Sequence, residues 1–149
     1  MTLLVHGTSI AVGGDGILFR GPPGTGKSDL ALRLIFSEFA RWPRPVLVAD
    51  DQTIIAPSSD GLTLQVSCPP VITGNIEVRG LGIVQVPHAE FACLRLVIDL
   101  VALDAVSRMP DERQELRFHG LDVAHLLLFP FEASAPLKAL LALERVAET

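Results

Sequence analysis

Eight consecutive residues, Gly21-Pro22-Pro23-Gly24-Thr25-Gly26-Lys27-Ser28, follow the pattern G-x-x-x-x-G-K-S. Such a loop wraps phosphates in backbone N–H groups, with the lysine reaching the terminal phosphates and the hydroxyl placed to hold Mg²⁺. The pattern constrains the fold because it needs a strand before it and a helix after it. Residues 16–19, Gly-Ile-Leu-Phe, read as a short buried strand, and residues 29–36 have helical character. A glycine turn that merely caps a helix has no use for Lys27 and Ser28 at the helix start, where the peptide dipoles favour an anion. The chain is therefore expected to bind a nucleoside triphosphate through residues 21–28.

The 149 residues suit one domain, 1–149, with a real core. A net charge of −5 leaves no basic footprint for nucleic acid or an anionic membrane surface. Apolar residues make up 49% of the chain, yet no uncharged run approaches the length of a membrane span. Some of that apolar surface is expected to be buried in a homo-oligomer. Met1-Thr2-Leu3-Leu4-Val5-His6 has neither a basic segment nor a long apolar stretch, so it does not read as a secretory signal, and a cytoplasmic location follows. Cys68 and Cys93 are too few for a zinc cluster and are expected as reduced thiols.

Residues 46–49, Val-Leu-Val-Ala, are a short apolar run ending at Asp50-Asp51, a strand that delivers two carboxylates at its C-terminal end. Ligands in open α/β sheets bind at such ends. Adjacent side chains at a strand end point to opposite sides, so one aspartate is suited to the metal and the other to an acceptor's proton. Before this strand, Arg41-Trp42-Pro43-Arg44-Pro45 reads as a surface loop, with Trp42 packing locally. Residues 52–57 and 62–67 predict a hairpin around Ser58-Ser59-Asp60-Gly61. Residues 83–86 and 94–100 predict further strands. The polar residues 111–115 read as a solvated face or loop, residues 126–129 as a last strand, and Pro136 as the start of a helix with Leu137, Leu140, Leu141 and Leu143 on its apolar side. Many strands and few helices imply an α/β fold built on a mixed sheet rather than a regular βαβ series. His88, His119 and His125 show no partner pattern and read as surface or packing residues.

Four segments in order resemble the catalytic domain of the bacterial HPr kinase/phosphorylase family: His6-Gly7, the phosphate loop, Val48-Ala49-Asp50-Asp51, and Glu77-Val78-Arg79-Gly80-Leu81-Gly82-Ile83-Val84. The last is similar to the family signature Glu-Ile-Arg-Gly-Leu-Gly-Ile-Ile. The resemblance implies an ATP- and Mg-dependent protein serine kinase acting on the phosphocarrier HPr. It also implies a P-loop fold similar to the nucleotide-binding core of phosphoenolpyruvate carboxykinases, and a homo-oligomer of hexameric type. Carried over position by position, Lys27 contacts the β- and γ-phosphates, Ser28 and Glu77 hold Mg²⁺, Asp51 accepts the proton, and Asp50 supports it or the metal. His6 lies beside the phosphates, and Arg108 matches the family's catalytic arginine.

Three departures qualify the carry-over. The family's usual N-terminal domain has no counterpart, so the chain resembles a short form. The connection from helix to aspartates is longer. The family's Pro-x-Arg-Pro-Gly-Arg segment, associated with dephosphorylation, is replaced by Pro130-Phe131-Glu132-Ala133-Ser134-Ala135, and the missing arginines count against phosphorylase activity. A small-molecule kinase and a non-catalytic ATP sensor are the alternatives. Asp50, Asp51 and Glu77 weigh against the sensor, which needs no proton acceptor.

Overall fold

The structure, a computed structural model, describes residues 2–109 and 114–148. In chain order the elements are β1 (Leu3–His6), β2 (Thr8–Val12), β3 (Asp15–Arg20), α1 (Lys27–Ile35), β4 (Val46–Ala49), β5 (Gln52–Pro57), β6 (Leu64–Ser67), β7 (Asn75–Val78), β8 (Gly82–Gln85), β9 (Phe91–Leu100), β10 (Gln114–Phe118), β11 (Leu121–Leu128) and α2 (Ala135–Ala147). Short 3₁₀ turns lie at Pro70–Ile72 and Leu103–Ala105. Among the described residues no helix is long and apolar enough to cross a membrane.

Strand β3 shows why the fold needs two layers of packing. Ile17 and Phe19 face one side and Leu18 the other, and all three are fully buried, as period-two alternation requires when both faces of a strand are covered. On one face, α1 contributes Leu30, Leu34 and Ile35 and α2 contributes Ala139, Leu140 and Leu143, packed with Ile10, Ile17, Phe19 and Ile98. On the other face the sheet curls over itself, enclosing Leu18, Val48, Ile55, Val66, Leu94 and Val97. Truncating a fully buried leucine such as Leu34 to alanine costs about 2–5 kcal/mol in such a core.

The main sheet is mixed, with the path β1-β5-β6-β9-β3-β2-β4. Strand β9 is its axis. Along one edge it runs parallel to β3, from Asp15 opposite Cys93 to Arg20 opposite Asp99. Its other edge is shared: residues 91–93 pair antiparallel with β6, and residues 96–100 pair parallel with β11, which in turn carries β10. The sheet forks there, and this fork produces the curl. β2 and β3 are joined by Gly13 and Gly14, both at positive φ (60° and 91°), the backbone that a two-residue hairpin turn needs and that glycine adopts freely. β7 and β8 form a separate hairpin.

Strands β3, β9 and β11 are mutually parallel through β9, so the segments that follow them leave from the same sheet edge. These are residues 21–26, 101–109 and 129–134. The edge at the C-terminal ends of parallel strands is where open α/β sheets place their ligands.

Several sequence expectations need adjustment. Gln114 and Glu115, read with residues 111–113 as a solvated face or loop, begin β10; Asp111, Glu112 and Arg113 lie outside the described residues. β10 is polar at most positions because it lies at the sheet margin, paired among the described residues to β11 alone. The last strand spans Leu121–Leu128, starting well before residue 126. The Asn75–Val78 strand, β1 and β2 carried no sequence expectation. Trp42 packs locally as expected, its ring 6.1 Å from that of Phe39 at 70° with the Arg41 guanidinium 5.5 Å away. Cys68 and Cys93 are free and half-buried.

Candidate active site

The loop of residues 21–26 begins with a turn in which Thr25 donates its hydroxyl to Pro22 O at 2.8 Å. Gly24 and Gly26 take positive φ values of 83° and 96°, a conformation that most side chains resist. Gly26 is the residue preceding α1 and makes no side-chain capping hydrogen bond. Leu30 N donates to Gly26 O as the first turn of the helix closes, so the amides just before it have no partner within the helix. Lys27 is buried, at 7% exposure. Its ammonium folds back over the loop and donates to Gly21 O at 2.6 Å and Pro22 O at 3.1 Å. Among the described residues it has no carboxylate partner.

Asp50 and Asp51 leave β4 in different directions and do different work. Asp50 is buried at 6% exposure. Its Oδ1 accepts the Ser28 hydroxyl at 2.6 Å and the Thr8 hydroxyl at 3.0 Å, and its Oδ2 accepts Glu77 N–H at 2.9 Å. One carboxylate thus ties the start of α1, β2 and β7 together. Asp51 stands at φ 66°, in the left-handed region that aspartate tolerates better than most residues. The chain turns at Asp51 rather than continuing the strand, so simple strand alternation does not describe how the two side chains are placed: Asp50 is buried and Asp51 exposed. Gly7 N donates to Asp51 O at 2.9 Å and Asp51 N donates to Thr8 Oγ1 at 3.2 Å, which pins that turn. The exposed Asp51 carboxylate is 2.5 Å from His6 Nε2.

A cleft of about 690 Å³ opens over these groups. The loop and the start of α1 form one wall, and the β7–β8 hairpin with Glu77, Arg79 and Gly80 forms another, with Asp51 and Phe131 completing it. His6 touches the cleft through Asp51. Arg108 is exposed, on the segment leaving β9 at this same sheet edge, and is not among the residues lining the cleft. No group of three or more His, Cys, Asp or Glu side chains is arranged to hold a metal among the described residues.

The sequence reading missed Thr8, Arg33, Phe131 and His125. Thr8 is fully buried beneath both aspartates, where a β-strand threonine gives no sequence signal of its role. Arg33 donates to Pro130 O and Glu132 O, holding the segment after β11 against α1. His125, read as partnerless, lies 2.7 Å from Asp99 Oδ2, and Asp99 in turn receives both Arg20 Nε (2.8 Å) and Nη2 (2.9 Å). Burial pushes the Asp99 carboxyl up, but the hydrogen bonds from Arg20 and His125 outweigh it and hold its pKa below the ordinary value. This network braces the end of β3 where the loop begins. Burial, with the nearby Asp50 charge, pushes the Cys68 thiol up, away from nucleophilic use.

The family described as the HPr Serine kinase C-terminal domain matches residues 1–141. Among curated relatives, the HPr kinase/phosphorylase of Bordetella petrii is 33% identical over 137 residues, covering 85% of this chain and 42% of that protein. That of Chlorobium limicola is 33% identical over 129 residues, covering 85% of this chain and 37% of that protein. The chain thus spans about two fifths of the length of these relatives. A solved structure of the Hpr(Ser) kinase/phosphatase from Coxiella burnetii superposes with a TM-score of 0.74 at 27% identity, over 98% of this chain and 90% of that one. The mixed α/β fold and curled sheet therefore match a known structure of this kind. With the match running from the first residue to the second helix, the chain belongs to the HPr serine kinase C-terminal domain family.

Proposed function

We propose that this chain is the catalytic unit of an ATP-dependent protein serine kinase that phosphorylates HPr or a related phosphocarrier. The observation that carries the reading is the buried Lys27 ammonium, whose only partners among the described residues are two carbonyls of its own loop. A buried cation without a counter-ion is costly. A polyphosphate seated in the loop supplies the missing charge, and the open glycine backbone leaves it room, since a Cβ at Gly24 would meet nothing within 4 Å. This supports reading the site as a P-loop, in a fold of the kind found in the nucleotide-binding core of phosphoenolpyruvate carboxykinases.

The donor set fits Mg²⁺, which takes one or two protein ligands and completes its shell with phosphate oxygens and water, so a three-residue cluster is not required. Ser28 and Glu77 would hold it. When bound, the metal offsets charge building on the transferring phosphoryl group. Lys27 and the free amides of the loop and α1 hold the phosphates. Asp51 takes the proton from the acceptor serine hydroxyl, and His6 orients the carboxylate through its Nε2. Asp50, with both oxygens engaged by protein donors, is a positioning residue for Ser28 and Glu77. Arg108 is assigned to the transferring group, reached from the segment after β9. The missing arginines at residues 130–135 restrict the proposal to the kinase direction.

The proposal extends to a homo-oligomer, of hexameric form, in the cytoplasm. Exposed Leu137 and Leu141, four residues apart on α2, support an oligomeric contact, and light scattering at micromolar concentration tests it. The function is tested by intact-mass spectrometry of the same organism's HPr after incubation with the protein and Mg-ATP, with Asp51→Asn as control. One phosphate on serine, absent in the control, is expected. No addition despite measurable ATP binding would overturn the HPr assignment.

A further inference from the structure

The cleft has two chemically different parts. Lys27, Ser28, Asp51 and Glu77 supply charge and hydroxyl, whereas Leu32, Val78 and Phe131 supply apolar surface. Phe131 is the unusual member. Its side chain is large and apolar, the residue is 59% exposed, and it lines the cleft beside the loop. A ring more than half in water gains only part of what burial would give it, so its fixed position needs a further explanation.

It is held from several directions. Phe129 meets its ring edge-to-face at 5.7 Å and 77°. Arg33 donates to the carbonyls on either side of it, those of Pro130 and Glu132, and Lys138 pairs with Glu132 at 2.8 Å. The ring lies so close to the loop that a Cβ at Gly26 would come within 3.0 Å of Phe131 Cε1. The ring is thus pre-set before any ligand arrives, which lowers the ordering cost of binding.

We propose that the Phe131 ring is the stacking platform for the nucleobase of the bound nucleoside triphosphate. This rests on reading residues 21–28 as the phosphate-binding loop. With phosphates on the loop amides and Lys27, the remaining part of such a ligand is a sugar and a flat aromatic base. The apolar part of the cleft offers that base a π-face and aliphatic surface. Gly26 then has two duties, since its missing side chain admits both the left-handed loop backbone and the ring.

The test compares binding of Mg-ATP and of Mg-tripolyphosphate, which has no base, by titration calorimetry for the wild type, Phe131→Ala, Phe131→Tyr and Lys27→Ala. Stacking on an aromatic side chain is strong enough that Phe131→Ala should weaken ATP binding about ten-fold or more. Tripolyphosphate affinity should stay unchanged, which also shows that the variant is folded, and Phe131→Tyr should bind ATP as the wild type does. Unchanged ATP affinity in Phe131→Ala, or an equal loss for ATP and tripolyphosphate, would overturn the proposal. Lys27→Ala should weaken both ligands. A wild type that binds neither would overturn the reading of the loop itself, a separate outcome from a silent Phe131 variant.

Discussion

Replacing Asp50 by asparagine separates architecture from chemistry in two adjacent residues. The buried Asp50 carboxylate accepts three hydrogen bonds, from the Ser28 and Thr8 hydroxyls and from Glu77 N–H. An amide of the same shape keeps one oxygen for the two hydroxyls, as a neutral acceptor, and turns an NH₂ group toward Glu77 N–H. Bonds to a charged group contribute about 1.5–3 kcal/mol and neutral ones about 0.5–1.5. Two weakened bonds cost about 1 kcal/mol each, and the opposed donors lose a whole bond, about 2 kcal/mol, giving about 4 kcal/mol in total. For a chain of this size each kcal/mol lowers Tm by about 2–4 °C, so Asp50→Asn should melt about 8–16 °C below the wild type. Asp51→Asn is the control: its side chain is exposed, and asparagine also tolerates left-handed backbone, so Tm should hardly move. Differential scanning calorimetry reads both. A drop of less than about 3 °C for Asp50→Asn, or equal drops for the two variants, would refute the argument that Asp50 ties the elements together.

Asp51→Asn should retain ATP binding while lowering kcat by about 100-fold or more, the usual contribution of a positioned base; single-turnover phosphoryl transfer measures it. Asp99 carries a pH dependence of defined sign. Its folded pKa is lowered by Arg20 and His125 against the opposing effect of burial, so its stabilisation is present above the ordinary carboxyl value of 3.8 and is lost as pH falls below that. The wild type should be more stable than Asp99→Asn at neutral pH, and the difference should shrink progressively as pH falls below 3.8 toward the lowered folded pKa, as read by urea unfolding. Gly7→Ala should destabilise by about 1–3 kcal/mol, because its Cβ would sit 2.8 Å from the Phe19 carbonyl oxygen and 2.9 Å from Leu18 Cδ1; an unchanged urea midpoint would contradict that close approach.

The parts of the fold visible in sequence are those specified locally. β3, α1, β4 and the β5–β6 hairpin each have apolar residues next to glycine, proline or aspartate, and the loop is a contiguous motif, so their ends are written beside them. β1 is different: Leu3 and Leu4 remain exposed, and the strand exists because residues 3–6 pair with residues 52–55 far along the chain. β10 is likewise hidden by its polar residues, which suit a margin strand and a loop equally. In the site, Lys27, Ser28, Asp51 and Glu77 were legible because their motifs are short and contiguous, and all four line one cleft. Thr8 and His125 were not, since each acquires its role only from a carboxylate brought in by the sheet. The turn at Asp51 depends on Gly7 and Thr8 holding it from another strand, which no local rule expresses.

Strand β9 bears on how the chain is made. Its first residues can pair with β3 and β6 as soon as they emerge from the ribosome, but the edge of residues 96–100 opposite β3 stays bare until Leu128 has been synthesised. For that interval the nascent chain displays an apolar strand edge, including Leu96, Ile98 and Leu100, that another chain can add to. Pairing across so many residues is also slow, because loop closure precedes the contacts that reward it. Substitutions in β11 should therefore lower the yield of folded protein more than their effect on equilibrium stability implies, with the deficit recovered when synthesis is slowed or a holding chaperone is supplied.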